Sequence, residues 1–470
     1  MGLFDFIGPA SGLLFTLENI IWINLGVFIG CVFAAIPGLS VILCIILFLP
    51  VTYTMKAIPG MMFLLGIYCA GGYGGSVSAI LINTPGTPHA AATMLDGHPL
   101  SKMGRTKAAL KIALYASTFG GIFSALVLLF LGPQVAKISA QLGTAEYFMV
   151  CLFGMTIIAG VSGKSLVKGI IAACLGLLIS CVGADPMTSY DRFTFGIPRL
   201  YLGLDLAVTL IGLFALVEII GKAELKHSEL NLHAGKIGND DGKITKDEYK
   251  RMLRPVLIGS IIGSCVGIVP GTGASEASWF SYNTAKNLSK HPEEFGHGSV
   301  EGVAAAESAN NAVCGATLIP LLTLGIPGES VTAVLMGGLI IQGLQPGPEL
   351  FTRYAPMTYT FFAGFVLVQF FMLGIGLLGC RGFAQISRLS DAILIPSVAV
   401  LCVVGSFAIH KNFFDVVIMM IFGVLGYLVR KFDLNPAAIV LALILGPIGE
   451  NGLRRSLRLS GGSPAILFST

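Results

Sequence analysis

The chain has 470 residues, of which 54% are hydrophobic and only 11% charged, with 60 glycines and a formal net charge of +4. An ordinary soluble domain carries about 25% charged residues, so composition excludes a disordered chain and argues against a water-soluble enzyme. The basic residues are scattered through short loops rather than gathered on one face, which argues against nucleic acid as a partner.

The opening Met1-Gly-Leu-Phe-Asp-Phe6 has neither the basic start of a secretory signal nor a Ser or Thr at position 6 for myristoylation, so insertion is expected to use the protein's own helices. Residues 19–55 and 57–95 then contain no Asp, Glu, Lys or Arg. A bilayer core about 30 Å thick needs about 20 apolar residues per helix, and the first stretch as one helix would reach about 55 Å. Pro37-Gly38 interrupts the first stretch and Pro85-Gly86 the second. Proline removes a helical donor and glycine relaxes the backbone, so two half-helices or a sharp turn are expected at each pair. Membrane helices are expected next near 109–131, 144–162, 166–183 and 203–221. The loops between them alternate: Lys102, Arg105, Lys107, Lys111, Lys164 and Lys168 fall on one side, Lys137, Arg192 and Arg199 on the other. The Lys/Arg-rich side is expected to be cytoplasmic.

Residues 222–254 hold eight Lys/Arg and six Asp/Glu, and read as a charged cytoplasmic linker between a first membrane unit (1–221) and a second (255–470). Within it, Asn239–Glu248 imitates part of a calcium loop, but Ile237 would occupy the first ligand position, so a solvated turn is expected. Beyond the linker, 255–275 and 354–380 are again free of charge, and Pro270-Gly271 and Pro327-Gly328 repeat the earlier interruptions.

The two halves match in register. Gly26, Gly30, Ala34, Pro37 and Gly38 recur 233 residues later as Gly259, Gly263, Gly267, Pro270 and Gly271. Pro85-Gly86, Ala91 and Met94 recur 242 residues later as Pro327-Gly328, Ala333 and Met336. The fold class expected is an all-α polytopic membrane protein of two homologous repeats, with broken or re-entrant helices at the Pro-Gly motifs and about 10–12 membrane segments. Charge does not decide whether the second repeat is parallel or inverted.

Irregular backbone at membrane depth is tolerated where it faces protein or a water-filled cavity, and half-helix N-termini suit anions. The breaks are therefore the candidate ligand site. Ser40, Asn83, Thr84, Pro85, Gly86, Thr87, Asn310, Asn311, Pro327, Gly328 and Ser330 are the candidate substrate-binding residues. Pro37, Gly38, Pro270, Gly271, Thr272 and Gly273 are the candidate helix breaks. Glu307 and Glu329 lie in charge-poor segments and are the candidates for ion coupling, because a carboxylate there usually faces a pathway or a partner.

Enzyme signatures fail. Gly160–Ser165 lacks the earlier glycine of a phosphate loop, and Tyr190-Asp191 has no second aspartate in a protease setting. The seven histidines show no ligand spacing, and cysteines such as Cys31, Cys44, Cys69, Cys151, Cys174, Cys265 and Cys402 read as small buried apolar residues. No catalytic group, metal or cofactor is expected, other than a co-transported Na⁺.

Several motifs resemble those of the large membrane subunit of the tripartite tricarboxylate transporter family. They are Ile36-Pro-Gly-Leu-Ser40, Tyr73-Gly-Gly-Ser76 through Asn83-Thr-Pro-Gly-Thr87 to Asp96-Gly-His-Pro-Leu100, and Pro270-Gly-Thr-Gly-Ala274. The longest runs from Glu301 through Asn310-Asn311 to Pro327-Gly328, and the tail Gly446-Pro447, Glu450, Leu453-Arg-Arg-Ser456 and Ser460-Gly-Gly462 also fits. The resemblance implies a secondary transporter subunit of the bacterial inner membrane, driven by a Na⁺ or H⁺ gradient. It implies a small four-helix membrane subunit and a periplasmic solute-binding protein as partners, and citrate or a related carboxylate as substrate. An uncoupled channel or facilitator and an intramembrane enzyme are the competing classes.

Overall fold

The computed structural model describes residues 7–161, 165–224, 242–386 and 391–468. The chain's first residues, the phosphate-loop comparison at Gly163-Lys164 and the start of the calcium-loop imitation at Asn239–Asp241 lie outside the described residues. The first half consists of α1 (Ile7–Leu14), α2 (Leu17–Ala34), α3 (Val41–Thr52), α4 (Ala57–Ile82), α5 (Ala91–Lys102), α6 (Thr106–Ser139), α7 (Thr144–Val161) and α8 (Leu166–Ser180). A two-stranded ribbon, Gly183–Ala184 against Asp191–Arg192, then precedes α9 (Leu206–Leu210), which runs through a π turn at Ile211–Leu216 into α10 (Val217–Glu224). The second half holds α11 (Lys246–Ile268), α12 (Ala274–Leu288), α13 (Val300–Ala316), α14 (Leu318–Leu324), α15 (Ser330–Ile341) and α16 (Glu349–Thr352). It ends with α17 (Ala355–Ile386), α18 (Asp391–His410), α19 (Phe413–Lys431) and α20 (Pro436–Leu459).

This is an all-α polytopic membrane protein. Among the described residues nine helices are long and apolar enough to cross a bilayer, and Val41–Thr52, Leu166–Ser180 and Ser330–Ile341 are shorter apolar helices. Ala57–Ile82 is buried along its length, whereas α18 and α19 turn Ile393, Val400, Met420 and Ile421 outward, as helices against lipid do. Cys174 and Cys265 also lie exposed on such faces, which corrects the expectation that they are core residues. The charged stretch differs from its reading as a linker at both ends: Lys222–Glu224 closes α10, and Lys246–Arg254 forms the first turns of α11, started by a capping box in which Thr245 and Glu248 satisfy each other's backbone N–H groups.

Two faces can be told apart. On one, α5 ends beside the start of α11, where Arg105 forks onto Glu248 at 2.6 and 3.1 Å, and Lys111 donates to the Gly242 carbonyl at 3.0 Å. Asp96 anchors the start of α13 on the same side, accepting from the N–H groups of Gly296, Gly298 and Ser299 at 2.8–2.9 Å and from Tyr282 at 2.8 Å. On the opposite face α15 ends against the turn between α3 and α4, where Gln342 donates to the Thr52 carbonyl at 2.6 Å. Thus α4 and α5 run towards the linker face, while α13 and α15 run away from it.

Close helix contacts also recur between the halves. The glycines of α2 press on the backbone of α4, Gly26 at Phe63 and Gly30 at Ile67; those of α11 press on α13, Gly259 at Ala305 and Gly263 at Ala309. Glycine allows such approach because it has no side chain to exclude the neighbouring backbone.

A cavity at the convergence of four helix starts

Each Pro-Gly pair lies in a connection outside the α-helices. Pro37-Gly38 separates α2 from α3, and Pro85-Gly86 lies between α4 and a 3₁₀ turn at Pro88–Ala90 that leads into α5. Pro270-Gly271 separates α11 from α12, and Pro327-Gly328 separates α14 from α15. Gly38 and Gly271 take left-handed φ values of 80° and 85°, as the chain turns back at these points. The first connection packs the second: a methyl group on Gly86 would strike the Ala34 carbonyl at the end of α2. In the other half a methyl group on Gly328 would lie 3.0 Å from the Gly267 carbonyl, and the Gly271 N–H donates to the Gly328 carbonyl at 2.8 Å.

These connections bound one cavity of about 270 Å³. Its wall includes Ser40, Thr87, Gly271, Gly273, Glu329 and Ser330, one or more residues from each of the four breaks. At each break the helix that follows begins at the wall: α3 behind the cap Ser40, the 3₁₀ turn and α5 behind Thr87, α12 behind Gly273, and α15 behind Glu329. Helices α3, α5 and α15 each have 12 residues, about 18 Å or roughly half the thickness of a bilayer core. Since α5 runs to the linker face and α15 to the other, the cavity lies between the two faces, with the positive ends of half-helices turned towards it from both sides. Such ends present N–H groups and favour anions.

The polar side chains at the wall come from Ser40, Thr87, His89, Ser275, Glu276, Glu329, Ser330 and Asn435. The Thr87 hydroxyl and His89 Nδ1 are buried without a hydrogen-bond partner among the described residues. Glu329 accepts from the Tyr68 hydroxyl at 2.5 Å and from the Ala274 N–H at 3.3 Å, and Glu276 accepts from the Gly273 N–H at 3.1 Å. Asn435, the cap of α20, reaches the wall from far along the chain. Among the described residues no Lys or Arg is on the wall, although Lys222 extends from α10 to donate to the Pro37 carbonyl at 3.3 Å.

Of the residues singled out in the sequence, Ser40, Thr87, Gly271, Gly273, Glu329 and Ser330 meet at this wall. Asn83, Thr84 and Pro85 lie just before it, with Asn83 closing α4 at φ 55° and exposed. Thr272 turns its hydroxyl onto the Val266 carbonyl at 2.6 Å. Asn310 and Asn311 are buried within the helix packing: Asn310 donates to the Gly72 carbonyl at 3.3 Å, and Asn311 faces the Met372 sulfur at 3.6 Å. Glu307 is likewise fully buried away from the wall, accepting hydroxyls from Ser76 on α4, Thr93 on α5 at 2.5 Å and Ser117 on α6 at 2.6 Å. Sequence reading missed Tyr68, His89, Lys222, Glu276 and Asn435. Only His89, two residues beyond Thr87, carried a local signal.

Comparison with known proteins agrees with these features. A protein of Agrobacterium vitis, described as an uncharacterized 52.8 kDa protein in the TAR-I ttuC' 3' region, is 35% identical over 452 residues, covering 96% of this chain and 89% of its own length. Another from the same organism, in the TAR-II ttuC' 3' region, is 38% identical over 207 residues, 44% of this chain and 86% of its own length. No solved structure matches. The pattern of the tripartite tricarboxylate transporter TctA family matches residues 20–441, and with the membrane helices and central cavity in place the chain belongs to that family, a component of a transporter and not an enzyme.

Proposed function

We propose that this chain is the large membrane subunit of a secondary transporter that imports a tricarboxylate or related carboxylate across the bacterial inner membrane, with the cavity as its substrate site. The observation that carries this reading is the convergence of four helix starts on one cavity whose wall, among the described residues, holds no Lys or Arg. Carboxylates there would be held by backbone N–H groups and by the hydroxyls of Ser40, Thr87 and Ser330 rather than by an arginine cluster. In this reading a periplasmic solute-binding protein delivers the substrate and a small four-helix subunit completes the membrane complex.

Glu276 and Glu329 stand on the same wall, so a polyanion entering the cavity adds charge to a site that already carries two carboxylates. Unpaired charges in a low-dielectric site are costly, and a cation must enter with the substrate. We assign that role to Na⁺, for which carboxylate and carbonyl oxygens are suitable hard ligands; a proton on Glu329 is the competing carrier. The test is uptake of labelled citrate, and of shorter dicarboxylates, into proteoliposomes containing all three components. Uptake that saturates with external Na⁺ at fixed pH supports the reading. Indifference to Na⁺ with dependence on a pH gradient replaces sodium by protons, and insensitivity to both gradients leaves a facilitator.

The recurring contacts and opposite helix directions support an inverted duplication, with α4–α5 corresponding to α13–α15. Alternating access would then come from rocking one repeat against the other around the cavity. Single cysteines at Lys102 and Gln345, in a cysteine-free background, should label with an impermeant maleimide from opposite sides of the membrane. Labelling from one side would refute the inversion.

A further inference from the structure

A second niche lies away from the substrate cavity, on the linker face where α11 begins and α12 ends. It encloses about 270 Å³ and is lined by Lys250, Arg251 and Arg254 of α11 and by Lys290 just beyond α12. Arg251 is committed: it donates to Glu301 at 2.9 Å and to Glu294, and Ser289 also donates to Glu301 at 2.7 Å. His291 faces Glu293 at 3.5 Å. Among the described residues Lys250, Arg254 and Lys290 have no carboxylate partner; Arg254 reaches only the Leu288 carbonyl, at 3.4 Å. Three cations without a carboxylate partner therefore share a concave site beside the Arg251–Glu294–Glu301 cluster.

The floor of the niche is apolar, formed by Pro255, Ile258, Ala285 and Leu288. From Arg254 the outer side of α11 continues into the membrane span with Leu257 and Ile261 exposed, and α12, which packs against α11, exposes Phe280. A ligand with an anionic head and long apolar tails matches both parts, whereas a soluble anion would use only the head site. Basic pockets between membrane helices at an interface bind anionic lipid headgroups for this reason. We propose that this niche binds the phosphodiester headgroup of an anionic phospholipid, with an acyl chain lying along Leu257 and Ile261.

The full chain, purified in detergent and incubated with phosphatidylglycerol or phosphatidylcholine, is assayed for retained lipid by native mass spectrometry. Phosphatidylglycerol should be retained in preference, and each lost cation should weaken retention about fivefold. The triple variant Lys250→Gln/Arg254→Gln/Lys290→Gln should show the largest loss. Lys290→Gln alone, beyond the end of α12, gives the single-charge step should the triple variant fold poorly. Lys286→Gln, a charge on α12 outside the niche, should leave retention unchanged. Equal retention of the two lipids, or retention unaffected by Lys290→Gln, overturns the proposal. So does binding of inorganic phosphate by lipid-free protein that Lys290→Gln abolishes, because the niche would then be a site for a free anion.

Discussion

Glu307 is a fully buried carboxyl and Glu329 a half-buried one, both in segments without a nearby base, and their surroundings differ. Glu307 sits within α13 and gathers hydroxyls from α4, α5 and α6, so one side chain of the second half ties together three helices of the first. Glu329 caps α15 at the cavity wall, where it takes one hydroxyl from Tyr68 and one N–H from the start of α12. Three hydroxyl donors saturate most of what a carboxyl can accept and leave little for a ligand. Two donors on a cavity wall leave lone pairs free. The contrast places Glu307 in the joint between halves and Glu329 on the cavity wall, where the proposed role in Na⁺ coupling would fall to it.

The largest effect should come from breaking the joint. Glu307→Leu removes the shared acceptor of three buried hydroxyls, and each buried polar group left unsatisfied costs about 1–3 kcal/mol. The variant should lose several kcal/mol, read as a large fall in melting temperature or in monodisperse yield, whereas Glu307→Gln keeps an acceptor and should be much milder. A Glu307→Leu protein as stable as the parent would show that Ser76, Thr93 and Ser117 do not depend on it.

Glu329→Gln should act on transport instead. Removing a full charge from the wall should raise the Na⁺ concentration for half-maximal uptake about tenfold, equivalent to about 1.4 kcal/mol. Glu307→Gln should leave that concentration near the parent value. If the two exchange roles, with Glu307 controlling the sodium dependence and Glu329 the stability, the contrast is reversed.

Thr87 refines the same division on a smaller scale. Its hydroxyl is buried at the wall with no partner among the described residues, so Thr87→Val should leave stability unchanged or slightly improved. A hydrogen bond contributes about 1 kcal/mol, so apparent substrate affinity should fall about fivefold if the hydroxyl meets the ligand. Lower stability with unchanged uptake would place Thr87 in the packing alone.

These assignments also show what could be read from sequence. Pro-Gly pairs in charge-free stretches mark broken backbone because proline and glycine act locally, and the residues beside them, Ser40, Thr87, Gly273 and Ser330, do meet at the wall. Asn310 and Asn311 carried an equally polar signal, but a buried amide that satisfies a neighbouring helix cannot be distinguished in sequence from one that faces a ligand. Lys222 looked like part of a solvated linker, and its reach to Pro37 depends on the packing of α10 against the first break. Asn435 and Glu276 come to the wall only through tertiary structure. The niche at Lys250 and Lys290 likewise requires α11 and α12 to fold back on each other.

A third carboxylate, outside the membrane helices, completes the series as the case with abundant positive charge. Asp185, in the ribbon loop, accepts from Arg454 at 2.5 Å and from the Met187 and Thr188 N–H groups at 2.8 and 2.9 Å, while Arg454 and Arg192 also share Glu450. The Arg454 hydrogen bond, with help from those N–H groups, holds the Asp185 carboxyl well below the usual carboxylate range. A carboxyl with a depressed folded pKa adds stability that is fully present above its unfolded value, about 3.9, and lost as pH falls through the lower folded value. The ribbon loop, residues 185–190, should therefore stay resistant to limited proteolysis at neutral pH and open only in strong acid. Arg454→Met should move that opening to higher pH and change uptake little, because this cluster lies at the far end of α20 from Asn435 and the cavity. Protection that stays independent of pH in the parent protein would remove Asp185 as the tie between ribbon and helix.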